Sequence, residues 1–158
     1  RLSKNHPIPC DPSNTHYGRC SMNTTQNLAD LAGRILIAAI FLIAGLNKIG
    51  GYEGTQGYMA AMGVPGMLLP LVIALEVLGA LAVIVGWRTR LFAFLLAGFS
   101  IVSAAIFHSA LGDQMQFLLF MKNLAMAGGF LFLVARGPGD WSLDVRNERL
   151  SAPEARRP

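Results

Sequence analysis

Apolar positions along the chain run nearly unbroken in four places, Leu28 to Ile49, Met67 to Gly86, Leu91 to Ser109 and Phe117 to Ala135, each of the length that carries an α-helix across a hydrocarbon core. A soluble bundle of helices this long would show polar residues returning every three to four positions on its outer faces, and these segments show no such return. The connections between them are short. The pattern therefore predicts an all-α polytopic membrane protein, an antiparallel bundle of four transmembrane helices. A short additional helix is expected in the loop after the first span, where "YEGTQGYMAAMGVPG" carries Tyr52, Tyr58, Met59 and Met62 before Pro65 closes the stretch as a lid.

Local signals set the ends of these elements. Asp30 suits the start of the first span, because a carboxylate is favoured at a helix N-terminus, and Gly50-Gly51 stops it. Spans two and three are joined only through Trp87, Arg88, Thr89 and Arg90, an interfacial anchor of one tryptophan and two arginines. Gly137-Pro138-Gly139 ends the fourth span, and Ala125, Gly128 and Gly129 within it leave room for a neighbouring helix.

Composition agrees with this reading: 53% of residues are hydrophobic, 14% are charged, and the mean hydropathy is +0.47. Charge adds an orientation. Arg88, Arg90, Arg136, Arg146, Arg149, Arg156 and Arg157 fall on the side that an even number of spans shares with both termini, so both termini are expected in the cytoplasm. The net charge of +4 thus reports topology and contact with anionic headgroups, and no basic stripe interleaved with aromatics points to nucleic acid.

Residues 1–21 are polar, rich in turn formers and without an apolar stretch, which reads as a disordered leader or an appended extension. His6, Cys10, His16 and Cys20 lie there, but the tight ligand pairs of a zinc finger are missing, so no metal site is assigned. Residues 22–144 form the membrane domain and 145–158 a polar cytoplasmic tail. No cysteine lies beyond Cys20, which argues against thiol-disulfide chemistry inside the bundle.

Candidate chemistry sits on the few polar residues within the spans: Arg34, Asn47, Lys48, Glu76, His108, Lys122 and Asn123. An ionised side chain at the bilayer centre costs at least about 2.5 to 3.5 kcal/mol, so it turns inward and finds a partner. At 1.5 Å per residue, Glu76 stands about 15 Å from the arginine-rich edge, Lys122 about 20 Å and Arg34 about 8 Å. Lys122 is the expected partner of Glu76, with Arg34 the alternative. Asn47, Lys48 and His108 stand higher, at about 27 to 29 Å, as a polar mouth beneath the lid. Each also has a plain structural role open to it: the ion pair would fix helix register, His108 would hydrogen-bond at the interface, and the methionines at 59, 62, 67, 115, 121 and 126 would pack.

The stretches "RILIAAIFLIAGLNKIGGY", "MGVPGMLLPLVIALEVLGALAVIVGWRTR", "FHSAL" and "FMKNLAMAGGFLFLVARGPGDWSLD" resemble the DoxX family of small four-span bacterial membrane proteins, and within it the YqjF-type inner-membrane branch. The resemblance covers Met22 to about Asp144. It implies the four-helix membrane bundle, and it implies a link to membrane-associated redox complexes, some members resembling small subunits of thiosulfate:quinone oxidoreductase.

Two function classes follow. One is a quinone-linked redox accessory or oxidoreductase subunit, with His108, Lys48 and Lys122 hydrogen-bonding a quinone headgroup and Glu76 relaying protons. The other is a non-enzymatic scaffold or small-solute carrier whose charges line a pathway. Expected partners are the lipid bilayer, redox partner proteins and further copies of the chain. No nucleotide loop and no serine-hydrolase elbow is present.

Overall fold

A computed structural model describes residues 23–151, and the leader with its His and Cys residues lies outside them. The described chain is helical throughout, as α1 (Thr24–Gly50), α2 (Tyr52–Ala61), a 3-10 turn (Gly66–Leu68), α3 (Leu69–Val85), α4 (Thr89–Phe107), α5 (Gln114–Arg136) and α6 (Leu143–Ser151). Four of these stretches, Thr24–Gly50, Gly66–Val85, Thr89–Phe107 and Gln114–Arg136, are long and apolar enough to cross a membrane.

The first span begins earlier than Asp30. Asn23 is the N-cap, and its backbone N–H donates to Oε1 of Gln26, three residues on, at 3.1 Å. This reciprocal capping pattern satisfies donors that the first turn leaves open, so the helix nucleates in a polar turn before the apolar run starts. Asp30 is therefore inside the helix, and α1 extends beyond the other spans at this end.

α3 follows Pro65 and carries Pro70 in its first turn, where the missing N–H costs nothing. It ends at Gly86, whose φ of 76° lies in the left-handed region. α5 starts on Asp113, whose side chain accepts from the N–H of Gln116, and stops at Gly137 with φ 84°.

The four long helices pack in the order α1, α3, α4, α5, and α1 meets α5 only slightly. The ring is thus nearly open along one seam. A core of Ala38, Phe41, Ala80, Val83, Ala93, Leu96, Ala97, Ala127 and Phe130 fills the centre, with Phe41 edge-on to both Phe99 and Phe130. Its small residues let the helices approach, as the packing of apolar helices in an apolar solvent requires. Of the three small residues noted in α5, Gly129 alone meets another helix, against Ile37 of α1; Ala125 is exposed and Gly128 has open space beside it.

One end of the bundle gathers the start of α1, the end of α3, the start of α4 and the end of α5, with α6 folded across it; this is the basic end. The segment expected to be only a polar tail is helical from Leu143 to Ser151 and is held there by Asp144. The Asp144 carboxylate accepts from the backbone N–H of Arg88 (2.7 Å), the N–H of Thr89 (2.9 Å) and the Thr89 hydroxyl (3.0 Å), while its own N–H donates to the Gly86 carbonyl (2.9 Å). A carboxylate over the open N–H groups of α4 is an N-cap supplied from far along the chain.

Candidate functional site

Glu76 lies on the face of α3 that meets α1. Its side chain is 3% exposed, and both of its carboxylate oxygens accept from Nζ of Lys48 at 2.9 Å. The approach of the two helices is set by Gly45: a Cβ there would lie 2.7 Å from Cγ2 of Val77 and 3.2 Å from Cβ of Glu76. With no side chain at Gly45, α3 comes close enough for the lysine one turn further along α1 to fold back onto the carboxylate. The ammonium has three N–H donors. Its side chain remains 26% exposed, so the pair is dry on the carboxylate side and accessible on the lysine side.

Lys48 as the partner corrects the expected pairing with Lys122, and the reason is register. Arg34 lies beside Gly86, so it stands level with the end of α3 and not a turn and a half inside it. Counting from that level, Gly45 and Glu76 are both about 15 to 17 Å up, and Lys48 is one further turn, about 5 Å, above them. A lysine side chain spans that offset. Lys122 is turned away. α5 packs its Asn123, Ala127 and Phe130 face onto the bundle, and Lys122, about 100° round the helix from Asn123, points outward and is exposed.

The remaining candidates are placed as follows. Asn123 is buried, with Nδ2 donating to the Leu119 carbonyl at 3.0 Å, and so serves its own helix. Asn47 is exposed on α1. His108 caps the end of α4 with Nδ1 2.8 Å from Oε1 of Gln116 in the first turn of α5. Above it, Tyr58 of α2 stacks on Phe107 with ring centroids 5.5 Å apart, tying the lid helix to the same end of α4.

Arg34 belongs to the basic end and not to the Glu76 site. It is fully buried and donates through Nη2 to the Trp141 carbonyl, while its Nε and Nη1 have no hydrogen-bond partner. The carboxylates of Asp30 and Asp144 act on it through space. The expected single polar cluster is thus two separate arrangements: Lys48 with Glu76 in the half of the bundle towards the lid, and Arg34 with Trp141, Gly86 and Asp144 at the basic end. Sequence reasoning missed Gln116, Thr89, Trp141 and Asp144. Gln116 alone carried a local signal, since Asp113 three residues before it marks a helix start facing the end of α4.

The DoxX family matches residues 29–109, which include Arg34, Lys48, Glu76 and His108. Over 78% of this chain and 95% of its own length, the inner membrane protein YqjF of Escherichia coli K12 is 49% identical. The inner membrane protein YphA of the same organism is 38% identical over 73% of the chain and 88% of its own length. A Bacillus subtilis protein named "Putative oxidoreductase CatD" is 29% identical over 67% of the chain and 82% of its own length. No solved structure matches the chain significantly. The four apolar helices and the ordered motifs along them have the same origin as in these relatives, and the chain belongs to the DoxX family.

Proposed function

We propose that the protein is a quinone-linked accessory subunit of an inner-membrane oxidoreductase, with its basic end in the cytoplasm. The observation that carries this reading is the Lys48–Glu76 pair: a carboxylate sealed between two spans and held by an ammonium that keeps a donor and a quarter of its surface free. Quinone reduction consumes two electrons and two protons, and a quinone headgroup needs donors at its carbonyl oxygens. Lys48 offers such a donor and, as the ammonium, would give one proton to the reduced headgroup and regain it from water on its exposed side, which also supplies the second proton, while the Glu76 carboxylate would hold the ammonium in place. Electrons would come from a partner protein. A relative named as an oxidoreductase supports the same reading.

The accessory role draws on α5, which buries 17% of its most apolar stretch and carries Lys122 outward. A lysine on that face is better accommodated against another subunit than against acyl chains.

The test is extraction. Protein purified in mild detergent should release a quinone into organic solvent at near-stoichiometric yield, and Lys48→Met should reduce that yield several-fold while the thermally stabilised double variant Lys48→Met with Glu76→Gln stays equally depleted. Absence of quinone from the unaltered protein, together with solute uptake by proteoliposomes, would replace this reading by the carrier. Orientation has its own readout. Alkaline phosphatase fused after Pro158 should be inactive, because the arginines of the α3–α4 turn, α5 and α6 hold that end inside; strong activity would reverse the bundle.

A further inference from the structure

Lys122 and the exposed side of Lys48 face one opening. α1 and α5 meet at Ile37 and Gly129, where a Cβ on the glycine would strike Cδ1 of Ile37, and they have little further contact. At about 100° per residue, Lys48 leaves α1 within about 20° of the direction of Ile37 and about 60° from that of Gly45, which faces α3. Its stem thus starts on the α5 side and crosses to Glu76, so the quarter of the side chain left exposed looks into the seam. Lys122 leaves α5 within about 20° of the direction of Gly129, on the flank turned to the same seam. Heights agree as well. Glu76 stands beside Gly45, about 12 Å above Ile37, and its hold on Lys48 keeps the ammonium near that level, while Lys122 is about 10 Å above Gly129. The two lysines therefore flank the lid half of the seam at nearly one height.

We propose, on the quinone reading above, that the lid half of the α1–α5 seam is the lateral entry by which the headgroup reaches Lys48 from the bilayer, and that Lys122 is its second donor. A 1,4-quinone carries its two carbonyl oxygens at opposite ends of the ring, so it is held best by donors from opposite sides. Lys48 serves one oxygen from α1 and Lys122 the other from α5. Among the described residues no carboxylate pairs with Lys122, which leaves the N–H donors of its ammonium available. A bare ammonium is costly in hydrocarbon, and a carbonyl oxygen entering between the helices relieves that cost. Ala44 leaves the room. It is half-buried, within about 20° of Ile37 and about 10 Å above it, and so faces the seam at the level of Lys122 with only a methyl group. Leu118, Ala125 and Phe132, further round α5, stay exposed for a partner subunit.

The experiment is isothermal titration calorimetry of the full chain in mild detergent with decylubiquinone, a 1,4-quinone with an alkyl tail, alongside thermal unfolding. Lys122→Met should weaken binding about tenfold, the share of one hydrogen bond from a charged donor, at unchanged thermal stability. Lys122→Arg keeps a charged donor and should restore most of the loss. Ala44→Phe narrows the seam from the α1 side and should weaken binding by at least as much. If the double variant Lys48→Met with Glu76→Gln loses binding while Lys122→Met, or a folded Ala44→Phe, binds as tightly as the unaltered chain, the entry is overturned and the quinone site at Lys48 stands. No binding by the unaltered chain overturns the site and the entry together. Should Ala44→Phe not fold, the two Lys122 variants decide.

Discussion

Replacing Lys48 by methionine is expected to cost the bundle more stability than replacing Glu76 by glutamine, although both changes break the same ion pair. The asymmetry comes from burial. Glu76 is 3% exposed, so without Lys48 its carboxylate is left among apolar side chains with no route to water. Removing one partner of such a pair costs on the order of 3 to 5 kcal/mol. The Lys48 side chain is 26% exposed and sits two residues from the end of α1, so without Glu76 it can swing towards the lid and regain solvent. Glu76→Gln should therefore fall at or below the bottom of that range. Combining Lys48→Met with Glu76→Gln removes both charges, and the double variant should recover most of the loss, with a coupling energy of about 1 to 3 kcal/mol. Lys122→Met should show no coupling to Glu76. Thermal unfolding of the singles and doubles in one detergent measures all of these. Coupling of Glu76 to Lys122 and not to Lys48 would contradict the register set by Gly45.

What could be read from the sequence, and what could not, divides along one line. Hydropathy is local, so the four spans were legible from their apolar runs, and the short helix after the first span and the glycine stops from residues adjacent to them. The requirement that Glu76 be paired was legible too, because it follows from the cost of a bare charge. Its partner was not. That choice depended on a helix start hidden in the capping pair Asn23 and Gln26, four residues before the apolar run. It depended as well on how the spans pack, and α5 leans on α4 and leaves Lys122 outside.

Contacts between distant residues were the least legible. Thr89 and Asp144 each look unremarkable in place, one after an arginine and one in a polar tail. Only folding brings the carboxylate over the first turn of α4. Arg34 was expected in the bundle interior and is there, fully buried, but it serves the basic end. Three stretches that carry the family resemblance, the arginine of the first span, the Thr-Arg pair and the Ser-Leu-Asp ending, meet at this one place. The Lys48 turn, the Gly-Val-Pro loop, Glu76 and His108 occupy the opposite half. The motifs thus sort into a structural closure at one end and a candidate site towards the other.

That closure makes Gly86→Ala the second substitution with a large expected effect. Gly86 has φ 76°, where a Cβ is strained, and its added methyl would run into Nη1 of Arg34 and Cβ of Ser142, with the Ser142 Cα at 2.9 Å. The arginine tip can give, but the Ser142 backbone cannot do so without moving the segment that carries Trp141 and Asp144. Displacing it weakens the Arg34 bond to the Trp141 carbonyl, the Asp144 N–H bond to the Gly86 carbonyl and the cap on α4 together. Backbone strain alone is worth about 1 to 3 kcal/mol, and the lost cap adds about 1. Gly63 supplies the control, since it has the same φ of 76° with nothing within 4 Å of its Cβ position. Gly63→Ala reads the strain by itself, and Gly86→Ala should exceed it by at least about 1 kcal/mol in detergent unfolding, the value of the cap alone. It should also speed proteolysis within residues 140–151, which the closure otherwise protects. Equal losses at the two glycines would mean that the basic end is held by the helices alone and that the α6 segment contributes nothing to it.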